Sequence, residues 1–222
     1  DGQQRLKSIE KFYNGEFALE SVSKQLYSLD FNGKRYDELD ERLRDRIDEY
    51  AIQLIIIKQD KPDDNNDSIY KIFERINTAG TKLLPQEIRA SSYHGKFNEL
   101  LSELANKQEW INFIQMSNTR KSHEELILRF LALYFDLENY KSPMKHFLNV
   151  YMNKNRNFKY NSKQDIENIF EKTIEICSHF IKKEDICLKG SNRVNTQLLD
   201  SILVGIAKNI DNPNLLNVGY IK

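Results

Sequence analysis

From Pro85 onward the apolar residues recur at three- and four-residue intervals, and that spacing restricts most of this chain to packed α-helices. Leu126, Phe130, Leu133, Tyr134 and Leu137 form one broad stripe. Ser142-Pro143 opens a further helix carrying Phe147, Leu148 and Tyr151. Ile166, Ile169, Phe170, Cys177, Phe180 and Ile181 mark a long one, and Leu198, Leu199, Ile202, Leu203 and Ile206 mark the last. The Asn- and Lys-rich stretch Asn153 to Lys163 is the conspicuous connection among them. No fixed-period repeat is present.

The first ninety residues mix signals. Leu6, Ile9, Phe12 and Tyr13 are spaced for a helix that ends at Asn14-Gly15. Phe17 to Leu19 reads as a short strand. Leu26 to Phe31 and Lys34 to Tyr36 flank Asn32-Gly33, a hairpin signal. Leu39, Leu43, Ile47 and Tyr50 return to helical spacing, and Ala51 to Ile57 reads as a buried strand. An acidic loop, Lys58 to Asp67, leads to a helix with Ile69, Ile72, Phe73 and Ile76 on one face. Pro85 suits a first helical position, but Leu84 stands where a capping Ser or Thr is expected. The expected class is therefore α+β and mostly helical. Residues 1–90 make a small α/β front end, and residues 91–222 an all-α body.

The 222 residues carry 33 Lys+Arg and 33 Asp+Glu, so a wholly basic nucleic-acid binder is excluded, although a local basic patch is not. Two cysteines, Cys177 and Cys187, exclude a disulfide framework and a Cys-based zinc site, and point to a reducing, cytoplasmic compartment. No apolar run approaches the roughly 20 residues of a membrane span. The chain opens at Asp1, which sets the expectation that the front end is N-terminally incomplete. A strand lost upstream would leave the edge of Ala51 to Ile57 unpaired, and self-association would follow.

Two short boxes carry chemistry. In Asp1-Gly2-Gln3-Gln4-Arg5, the glycine allows close backbone approach and the following residues open a helix whose free N–H groups favour an anion. Arg5 in a first turn opposes the helix dipole, which a phosphate or carboxylate partner would explain. Asp1 suits a water, a metal or a ribose hydroxyl. An ordinary turn with an Asp cap accounts for the same residues. The second box runs Phe73-Glu74-Arg75-Ile76-Asn77-Thr78-Ala79-Gly80-Thr81, followed by Leu83 and Glu87-Ile88-Arg89. Arg75 and Asn77 fall at a helix end beside a glycine loop, and a plain helix C-terminus reads the same way.

Taken together, the boxes resemble the GmrSD restriction endonuclease N-terminal domain family, which is grouped with the ParB/sulfiredoxin-like fold. Glu125 to Ala132 and Asn195 to Leu203 resemble its helical part. The resemblance implies a nucleotide-handling module of a modification-dependent restriction or phage-defence system. It implies NTP with Mg²⁺ as ligand and, as partners, DNA and a separate nuclease domain or subunit. Carried over, Asp1, Gln4 and Arg5 are the catalytic candidates for NTP hydrolysis. Gly2, Gln3, Arg5, Arg75, Asn77 and Gly80 hold phosphate, and Glu87 and Arg89 support them. No protein metal site, membrane contact or nuclease activity is expected. The alternative is a DNA-binding or partner-binding module without NTP hydrolysis.

Other signals weigh less. Asp60, Asp63, Asp64 and Asp67 lack EF-hand spacing, and the four histidines are scattered. Trp110 and Cys177 read as core. Tyr151, Lys154, Arg156, Phe158, Lys159, Tyr160 and Lys163 interleave aromatics with cations, as single-strand binders do, but a polar inter-helix loop explains them better.

Overall fold

The computed structural model describes residues 2–20, 31–52, 67–76 and 82–212, and its contacts divide the chain into two compact units, Asp1–Lys58 and Gln59–Lys222.

In the first unit, helix α1 (Gly2–Tyr13) is followed by α2 (Glu41–Asp48). The Asn14-Gly15 stop works through a left-handed Gly15 at φ +67°. The Gly15 N–H donates to the Phe12 carbonyl and the Glu16 N–H to the Lys11 carbonyl, both at 2.9 Å, which satisfies the last free carbonyls of α1. Asp40 caps α2 by accepting from the Leu43 N–H at 3.1 Å. Phe12, Leu39 and Leu43 make a small core, with Leu19, Phe31, Tyr36 and Ile47 around it.

The expected strands differ. Phe17 to Leu19 is not a strand, although Leu19 exchanges backbone hydrogen bonds with Gly33 and Lys34 at 2.7 and 2.9 Å. The Asn32-Gly33 turn forms, with Gly33 at φ +77°. Tyr36 then enters a short 3-10 helix (Tyr36–Glu38) instead of a strand, because the Glu38 carboxylate accepts from the Arg35 N–H at 2.7 Å. Ala51 and Ile52 are exposed and outside any strand, while residues 53–57, like Leu26 to Asp30, lie outside the described residues. Among the described residues this unit holds no β-strand. The structure thus supports the helical part of the expected class and not its sheet.

The second unit contains α3 (Asp67–Ile76), α4 (Pro85–Ser92), α5 (Lys96–Ala105), α6 (Gln108–Ile114), α7 (Ser122–Asp136), α8 (Met144–Lys154), α9 (Lys163–Phe180) and α10 (Thr196–Lys208). Helix α7 is its axis and packs on α4, α5, α8 and α10. Leu126, Ile127, Leu128, Phe130, Leu131, Ala132 and Leu133 are all buried, so α7 is apolar on more than one face. Ser162 and Asn195 cap α9 and α10 by accepting from the N–H three residues on. Trp110 and Cys177 are fully buried, as the apolar spacing anticipates, and burial pushes the Cys177 thiol up to about 12. An isolated bridge between Cys187 and Val194, closed by Gly190 at φ +73°, is a local feature that the helical spacing does not announce.

The Asn153–Lys163 connection is locked in place. The Arg156 carbonyl accepts from the Phe97 N–H at 3.1 Å, and Arg156 Nε donates to the His94 carbonyl at 2.5 Å. A Cβ on Gly95 would meet that Arg156 carbonyl at 2.7 Å, so glycine is what lets the loop close.

Helices α1 and α2 are tied by one carboxylate. The Tyr13 and Tyr36 hydroxyls each donate to Asp48 Oδ1 at 2.7 Å, and the two rings lie 4.5 Å apart. These hydrogen bonds hold the Asp48 carboxyl below the usual range and raise both phenols, Tyr13 to about 12. The raised Tyr13 phenol contributes stability that is present below pH 10.0 and lost as pH rises through about 12. The lowered Asp48 carboxyl contributes stability that is present above the ordinary value of 3.8 and lost as pH falls below it. Asp48→Asn is expected to bring the late phenolate absorbance rise of Tyr13 and Tyr36 back toward 10.0, read as a wild-type-minus-variant titration.

Candidate functional site

The first box opens α1. Gly2 is the first helical residue, Gln3, Gln4 and Arg5 complete the first turn, and no acidic residue occurs there. A helix start with free N–H groups and a cation but no acid attracts an anion. Arg5 is exposed, and Asp1 lies outside the described residues. The donor set suits phosphate oxygens. Among the described residues no group of three or more His, Cys, Asp or Glu is placed to hold a metal ion.

The second box belongs to the second unit. Arg75 is exposed in the last turn of α3. Asn77 and Gly80 lie outside the described residues. Glu87 and Arg89 sit on α4 and have structural partners. The Glu87 carboxylate accepts from the Leu84 N–H at 2.7 Å, which replaces the side-chain cap that Leu84 cannot provide. The same oxygen meets Arg120 Nη2 at 2.7 Å.

Arg89 is 1% exposed. Its Nε donates to Gln86 at 2.7 Å, Nη1 to Asn149 on α8 at 3.4 Å, and Nη2 pairs with Glu125 on α7 at 3.0 Å. Burial pulls its pKa below the ordinary arginine value, and Glu125 opposes that pull. One turn along α7, Arg129 grips Asp200 of α10 in a two-pronged pair, Nε to the two oxygens at 3.2 and 3.1 Å. Burial raises Asp200, while Arg129 counters it. Each of the two helical segments singled out in the sequence supplies one member of this pair.

Helix α3 is anchored separately. Tyr70 is buried and stacks on Tyr93, the C-cap residue of α4, with ring centroids 6.2 Å apart. Glu74 pairs with Lys145 of α8, whose Nζ also lies 5.4 Å over the Tyr70 ring. Partial burial works against the Lys145 charge, but its hydrogen bond to Glu74 and the Tyr70 contact outweigh that, and its pKa is raised. Lys145, Asn149 and Asp200 were invisible as site residues in the sequence. Their partners stand 60 to 71 positions away, and no short-range pattern joins them.

Packing takes up two of the three aromatics in the interleaved loop near Tyr151. Tyr151 is buried, and Phe158 packs edge-on against Phe97 at 6.4 Å, which leaves Lys159 and Tyr160 outward. No described helix is long and apolar enough to cross a membrane.

Residues 1–94 match the model of the family described as GmrSD restriction endonuclease, N-terminal domain. The match includes both boxes and ends just after α4. No curated protein and no solved structure matches the chain.

The Arg129–Asp200 pair sets a prediction. Asp200→Ala leaves a largely buried guanidinium unpaired and is expected to cost about 3 kcal/mol, whereas Arg129→Met with Asp200→Leu should recover most of that loss. Urea unfolding of the two variants checks it.

Proposed function

We propose that the chain is a nucleotide-binding module of a restriction or phage-defence system, using the Asp1–Arg5 box to hold the phosphates of an NTP. The observation that carries this reading is the first turn of α1, which begins inside the box and includes Arg5. The family match over residues 1–94 supports the restriction-system setting.

In this reading Gly2 and Gln3 offer backbone amides, Arg5 neutralises phosphate charge, and Gln4 with Asp1 orients a water for hydrolysis; on the second unit, Arg75 is read separately as a phosphate contact. Positioning and charge neutralisation are what phosphoryl transfer needs from a protein. Mg²⁺ supplies charge neutralisation on the phosphates. Glu87 and Arg89 act at a distance, by holding α4 in place. DNA cleavage falls to a separate nuclease domain or subunit, which the nucleotide state regulates.

The test is calorimetry with each of the four ribonucleoside triphosphates plus Mg²⁺. One or more should bind, and Arg5→Ala should weaken binding by at least tenfold, the scale of a lost charge-assisted contact of about 1.5–3 kcal/mol. Absence of binding by the wild type, or unchanged binding by Arg5→Ala, overturns the reading. Salt-steep DNA binding with no NTP effect would favour a DNA-binding module instead.

A further inference from the structure

We propose that Lys145 is a positioning residue for the second box: from α8 it fixes the end of α3 that carries Arg75 and neutralises the carboxylate beside it. The proposal rests on the reading of Arg75 as a phosphate contact.

Glu74 and Arg75 are neighbours in the last turn of α3. An anion in that turn is unfavourable to the helix dipole, and an uncompensated Glu74 would also repel an approaching phosphate. Lys145 meets both problems by pairing with Glu74. Its second contact strengthens the hold, because the same Nζ lies over the face of Tyr70, one turn back on α3. Tyr70 is in turn buried against Tyr93.

The geometry of α8 extends the argument. Lys145 and Asn149 are one turn apart, and Asn149 accepts from Arg89 of α4. One face of α8 therefore holds both α3 and α4, the two helices of the second box. A ten-residue helix such as α3 is marginal without tertiary support, so these contacts decide where its end points. Lys145 touches no reacting atom in this account. It acts through Glu74 and Tyr70.

The test compares Lys145→Ala, Lys145→Arg and Arg75→Ala in the full chain, with calorimetry using whichever ribonucleoside triphosphate binds the wild type. Hydrogen exchange of the α3 amides is the second readout. Lys145→Ala should weaken NTP binding about fivefold, the scale of one lost ion pair of about 1 kcal/mol, with the unfolding midpoint little changed. Its α3 amides should exchange faster while those of α10 do not. Lys145→Arg should restore both. Wild-type affinity in Lys145→Ala alongside weakened binding in Arg75→Ala overturns the inference and leaves the nucleotide reading standing. Unchanged α3 exchange in Lys145→Ala overturns it whatever the nucleotide does. Equal binding by wild type and Arg75→Ala removes the second box from the nucleotide site, and the inference falls with that reading.

Discussion

The buried guanidinium of Arg89 is the constraint around which the second unit is arranged. A charge at 1% exposure needs partners, and Arg89 finds them on three helices: hydrogen bonds to Gln86 of its own α4 and Asn149 of α8, and an ion pair with Glu125 of α7. A shift of α8 would cost Arg89 a hydrogen bond, and a shift of α7 its counter-charge. The next turn of α7 repeats the device toward α10 with Arg129 and Asp200. Apolar packing supplies the bulk of the stability, and these pairs select which helix lies beside which.

This arrangement changes what the family domain looks like. Residues 1–94 carry the match, yet the compact units divide at Lys58 and Gln59. Helices α3 and α4, the last part of the matched stretch, are integral to the helical body. The body beyond residue 94 is thus the other half of their core, holding them through Tyr93, Arg89, Glu74 and Tyr70. A structural reason follows for a second box that ends in a buried arginine. Arg75 faces outward while Arg89, on the next helix, faces the body.

Helix positions were legible in the sequence because their apolar period is local. The Asn14-Gly15 stop, the Pro85 start and the stripes of α7, α9 and α10 fall where the spacing puts them. The strands expected at Phe17 to Leu19 and at Lys34 to Tyr36 were not formed, since short apolar runs fit either state and side-chain bonds such as Glu38 to Arg35 decide between them. The candidate site was legible as two boxes but not as a mechanism of support. Glu87 and Arg89 read as supporting residues in the sequence, and the partners that give them that role are Leu84, Arg120, Asn149 and Glu125. Of these only Leu84 lies close enough in sequence to be seen beforehand.

Native-state hydrogen exchange on the intact chain tests the central claim that α4 is one cooperative body with α7. Under conditions where exchange reports opening equilibria, the slowest amides of α4, Ile88 to Ser92, should share the opening free energy of those in α7, Leu126 to Leu133. An α4 that exchanges through a separate, lower-energy opening not shared with α7 would contradict the account.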